Sequence, residues 1–132
     1  MKKYTIQARS SYAELWRYNL SVMCGAFDAE GAKIDFASAQ SIVAPIGTKL
    51  TGPPQGMESP REVKVSTKPC ESIAAYVYVV PVVLPTSRDV ADYPPFDLRI
   101  KVSCDKEVVY NEVHKVCQWS GASIEIKLPN KE

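Results

Sequence analysis

Only six glycines and a single histidine, His114, stand in a chain of 132 residues. The glycine shortage leaves no G-x-x-x-x-G-K and no G-x-G-x-x-G, the loops whose backbone N–H groups cradle phosphate in nucleotide enzymes. The four cysteines, Cys24, Cys70, Cys104 and Cys117, form no C-x-x-C pair, which removes the usual zinc-ribbon and thioredoxin-like frameworks. A long apolar run is missing as well: Ile73 to Leu84 is the longest, too short for a bilayer and interrupted by Pro81. After Lys2 and Lys3 the chain meets Gln7 and Arg9 instead of the apolar core of a signal peptide. The expectation is a chain without a membrane span, working in the cytoplasm, its cysteines reduced and buried as small apolar side chains.

A surplus of one charge is also lacking. Sixteen lysines and arginines face fifteen acids, for a net charge of +1, and Lys2-Lys3 is the one adjacent basic pair. Nucleic-acid binding ordinarily needs basic residues gathered on one face, so this composition argues against it. Hydrophobic residues at 45% and charged residues at 23% are ordinary for a globular protein, which excludes disorder. The length suits one domain spanning residues 1–132 with a sizeable core.

What is present is alternation. Phe96 to Cys104 is apolar at every even position and polar at every odd one, the period of a half-buried strand. Ala122 to Leu128 repeats it, with Ser123, Glu125 and Lys127 facing water. Tyr4, Ile6 and Ala8, then Lys33 to Phe36, then Glu62 to Ser66, mark shorter strands. Ile73 to Val80 is apolar on both faces and rich in β-branched and aromatic residues, which predicts a central strand that ends, bulges or reaches an edge at Pro81. Glu107 to Val116 pairs with the Phe96 strand across a tight turn. Its inward face is Val109, Asn111 and Val113 with a two-residue loop, or Val108 and Tyr110 with a bulge.

The segment from Ser11 to Val22 carries two signals. Ser11-Tyr12-Ala13-Glu14 has the form of a capping box, with Tyr12, Leu15, Trp16, Asn19 and Met23 on one helical face. Trp16, Tyr18, Leu20 and Val22 alternate without the polar interruption that Asn19 brings to the helix, so a strand from Trp16 to Val22 is the expectation. Together these segments predict an all-β fold: a single-domain antiparallel β-sandwich of about seven or eight short strands. Two long proline-rich loops, from Pro45 to Pro60 and from Pro85 to Pro95, join its strands.

Chemistry is harder to find. His114 and Cys117 are three apart, on opposite faces of any strand, so they make no nucleophile–base pair. Asp89, Asp92 and Asp97 fall in one loop without the dense carboxylates of a calcium loop and read as turn residues. No metal site, catalytic residue or cofactor is expected. Trp16 and Tyr76 are expected in the core, while Tyr93, between Asp92 and Pro94-Pro95, is expected to reach outward. Arg88, Asp89, Asp92 and Tyr93 therefore form the candidate interaction loop, since arginine and tyrosine dominate interface hot spots and the prolines limit the entropy lost on docking. The expected function is a non-enzymatic interaction or assembly module, presenting these stiff loops or a sheet edge near Pro81 to a protein partner or to itself. The alternatives are a small-ligand or carbohydrate-binding sandwich and, more remotely, an enzyme whose site joins residues far apart in sequence.

Overall fold

Alternating sequence becomes strand throughout the computed structural model, which describes residues 2–12, 14–43, 61–83 and 94–128. The strands are β1 (Tyr4–Ser10), β2 (Tyr18–Phe27), β3 (Lys33–Ser41), β4 (Arg61–Ser66), β5 (Ser72–Pro81), β6 (Phe96–Cys104), β7 (Glu107–Val116) and β8 (Ala122–Leu128). All pair antiparallel in two four-stranded sheets, ordered β4-β1-β6-β7 and β3-β2-β5-β8. The antiparallel β-sandwich predicted from the alternation is the observed architecture. Among the described residues no helix is long and apolar enough to cross a membrane. The proline-rich segments fall at positions 44–60 and 84–93, outside the described residues.

The core lies between the sheets. Ile6 and Ala8 from β1, Leu98, Ile100 and Val102 from β6, Leu20 and Val22 from β2, and Val77 and Val79 from β5 are almost wholly buried. Their neighbours on the same strands, such as Arg9, Arg99 and Met23, point to the outer faces. Each buried valine, leucine or isoleucine contributes roughly 1.5–3 kcal/mol, so the four central strands carry most of the stability.

Where two periodicities compete, each takes part of the segment. Ser10 is buried; its hydroxyl donates to the Asp97 carbonyl at 2.7 Å and accepts from the Tyr12 N–H at 3.2 Å. The capping box does not form: Glu14 precedes a single 3-10 turn, Leu15–Arg17, with no side-chain cap. The backbone turns extended at Tyr18, so the alternation holds for Tyr18, Leu20 and Val22 but not for Trp16. Leu15 takes the core position instead, and Trp16 is half-buried.

Other expectations also need correction. Tyr76 is not in the core: β5 turns Ile73, Ala75, Val77 and Val79 inward, leaving Tyr76 and Tyr78 half-buried on the outer face. Asp97 sits in β6 rather than in a loop, paired with Lys115 across the strands. Cys24, Cys70 and Cys104 are buried free thiols, but Cys117 lies beyond the end of β7 and is exposed.

The β6–β7 hairpin combines both sequence alternatives. Asp105 and Lys106 have φ of 49° and 78°, the left-handed pair of a two-residue hairpin turn. A bulge follows, because Ser103 faces Val108 while Val102 faces Tyr110. Val109 is the extra residue. Tyr110 thereby packs against the core, whereas Val108 and Val113 stay on the outer side.

Pro81 ends β5 at a place that suits it. It pairs with Tyr18 of β2, and the next residue, Val82, donates its N–H to the Arg17 carbonyl at 2.8 Å. That pattern directs the missing donor of Pro81 away from β2, towards the side where β8 starts at Ala122, opposite Val79, and leaves a gap. Gly121 fills the gap with bare backbone at φ 73°.

Candidate interaction surfaces

Arg88, Asp89, Asp92 and Tyr93, the interaction loop expected from sequence, lie outside the described residues. The chain re-enters the description at Pro94, whose carbonyl accepts a hydrogen bond from Gln118 Nε2 at 2.6 Å. Gln118 belongs to a buried polar cluster at that end of the sandwich. The guanidinium of Arg17, 5% exposed, donates to the Tyr12 hydroxyl at 3.0 Å and to Gln118 Oε1, and lies 3.7 Å from the Glu14 carboxylate. Tyr18 Oη donates to the Gln118 carbonyl at 3.1 Å. Tyr12 stacks on Phe96 with ring centres 4.5 Å apart and planes 7° from parallel.

Burial raises the Tyr12 hydroxyl above its ordinary pKa, against the pull of Arg17, and burial likewise raises Tyr18. Both phenols therefore stay protonated near neutrality. Fixed acceptors around the buried Arg17 cation tie the turn at residues 14–17 to Gln118. Sequence reading missed this cluster because its members span positions 12 to 118.

His114 meets a phenol, not a thiol. Its Nε2 lies 2.8 Å from Tyr110 Oη, four residues earlier on the same face of β7. Cys117 instead takes hydrogen bonds from Ser120 and the Trp119 backbone, which lower its pKa below the usual thiol value. Among the described residues no three His, Cys, Asp or Glu side chains converge as metal ligands would.

The surfaces that remain are an edge and two outer faces. β7 spans ten residues at the margin of its sheet, where one side of its backbone donors and acceptors meets no strand among the described residues. Val108, Val109 and Val113 are 42–46% exposed along it. Charges at Glu112 and Lys115, with the bulge at Val109, guard against indiscriminate pairing. The opposite margin differs, since β3 lies against β4 across the sandwich. On the outer face of the β3-β2-β5-β8 sheet, Met23 is opposite Tyr76, and Tyr78 follows two residues along β5. Phe36, 53% exposed, stands beside Gly25 on that face.

No family model matches the chain, and neither does any curated protein. Among solved structures it is similar to a DUF4425 family protein from Bacteroides ovatus ATCC 8483, at 13% identity and a TM-score of 0.46. The alignment covers 96% of this chain and 92% of that one.

Proposed function

We propose that the protein is a non-enzymatic assembly module that pairs with a second copy of itself through the free edge of β7. The exposed, valine-bearing edge strand carries this reading, since an apolar edge that meets no strand among the described residues is a template for another strand. The sequence of β7 suits antiparallel pairing with its own copy. A two-fold axis at Asn111 sets Val109 towards Val113, twice, with no like charges opposed.

Sedimentation velocity across a dilution series tests this. The parent should shift from dimer to monomer on dilution. Val109→Lys with Val113→Lys, which opposes lysine to lysine, should remain monomeric at every concentration while melting like the parent. A parent that is monomeric throughout sinks the reading.

A carbohydrate-binding sandwich is the second reading, favoured by the Phe36, Met23, Tyr76 and Tyr78 face, because aromatic platforms stack on sugar rings. Glycan-array binding lost on Tyr76→Ala with Tyr78→Ala would select it.

A further inference from the structure

The basic residues that look scattered in sequence are gathered by strand pairing. On the outer face of the β4-β1-β6-β7 sheet, Gln7 stands between Lys64 and Lys101. In the next row Arg9 stands between Glu62 and Arg99. Further along, Asp97 is already paired with Lys115. Within the described residues of these strands the face holds five cations, Arg9, Lys64, Arg99, Lys101 and Lys115, against two acids, Glu62 and Asp97.

Arg9 and Arg99 are direct cross-strand partners, at a separation of about 5 Å between side-chain origins. Like charges in that relation weaken a sheet unless something answers them. Arg99 is further held by Asn111, whose Oδ1 accepts from Nη1 at 2.7 Å. A shallow groove of about 320 Å³ runs beside the pair, lined by Arg9, Ser10, Ser11, Asp97, Arg99 and Val113.

We infer that this face binds an acidic polysaccharide, with Arg9 and Arg99 holding one carboxylate or sulfate group and Lys64 and Lys101 neutralising its neighbours. The face is centred on β4, β1 and β6 and meets the β7 pairing edge at Asn111, Val113 and Lys115. Two features select the occupant. The cations stand in a carpet of hydroxyl and amide groups, Thr5, Ser66, Ser103, Gln7 and Asn111, which suits a polymer bearing hydroxyls and anions together. The face carries no aromatic side chain within these strands on which a base could stack, which disfavours single-stranded nucleic acid. An acidic peptide would more naturally add to an edge than lie across a face.

Calorimetric titration in 0.15 M salt, roughly the physiological value, tests the inference with polygalacturonate and heparin as probes. Neutral dextran, polyglutamate and an oligothymidylate serve as comparisons. The parent should bind at least one of the anionic polysaccharides and neither dextran nor the other polyanions with comparable affinity. Arg9→Ser with Arg99→Ser should raise Kd by at least about tenfold, because two charge-assisted forks are lost. Lys127→Ser, on the other sheet, should change it less than about twofold. The double variant should melt at or above the parent temperature, since a repulsive pair has gone. Four results would overturn the inference: no binding by the parent, tighter binding of polyglutamate or oligothymidylate, equal losses in the two variants, or a double variant that melts well below the parent.

Discussion

Replacing Gly121 by alanine tests how closely β8 is fitted beneath the end of β5. At φ 73° an L-residue bears a strain of roughly 1–2 kcal/mol. The added Cβ would also stand 1.9 Å from the Val79 carbonyl oxygen and 3.0 Å from Pro81 Cδ. The first distance is roughly 1 Å below what real side chains tolerate, and the obstacle is backbone, so β5 and β8 must part locally. Overpacking of that kind costs roughly 1–3 kcal/mol. The sum is about 2–5 kcal/mol of a total that is typically about 5–15. At this chain length, roughly 4 °C per kcal/mol, the melting temperature should fall by about 8–20 °C. Gly31→Ala is the control: its φ is 84°, but nothing lies within 4 Å of the new Cβ. Only the backbone strain remains there, and a fall of about 4–8 °C is expected. Differential scanning calorimetry of the two variants against the parent decides. Equal falls would show that the carbonyl of Val79 yields freely and that the packing under Pro81 is not restrictive.

Ile100→Asp should unfold the protein, because it buries a carboxylate without a partner at a fully buried position, whereas Lys101→Asp on the outer face should shift stability by about half a kcal/mol or less; matching melting temperatures would refute the register. Cys117 should react alone with a thiol reagent in the native protein and all four cysteines after denaturation, and a native titre other than one would contradict the burial pattern. Burial pushes Tyr4 from 10.0 and Cys24 from 9.0 up to about 12, so the stability these groups confer is complete below about pH 9 and is lost as pH climbs towards 12. Thermal melts should fall over that window, less steeply in Cys24→Ala, and a flat profile would be the contrary result.

The strands with one wet face were legible. β6 reads correctly from Phe96 to Cys104 because every second residue enters the core, and β8 does so for the same reason. β5 was legible as a central strand but not in orientation. Its outer side, Ala74, Tyr76, Tyr78 and Val80, is as apolar as its inner side, so alternation carries no sign. Around Trp16 the helical and extended periods were both present, and the buried Ser10 and Arg17 decided the matter through contacts with Asp97 and Gln118. The facing of β7 depended on one extra residue at Val109, and a bulge leaves no distinct mark in composition. The cationic face was invisible for a different reason. Positions 9, 64, 99 and 101 become neighbours only once β1 lies between β4 and β6.

That placement of β1 bears on the order in which the molecule assembles. The β2–β3 and β6–β7 pairs join neighbours in sequence and can close early as hairpins. Ile6, by contrast, is flanked by Val65 and Val102, so β1 must wait until both distant strands exist before it can be sealed between them. During synthesis the edge of β1 that pairs with β6 stays unpaired until β6 has emerged. Long-range pairing of this kind places refolding in the range of milliseconds to seconds. If insertion of β1 is the late step, Ala8→Gly should speed unfolding while leaving the folding rate nearly unchanged, a split that stopped-flow chevrons resolve.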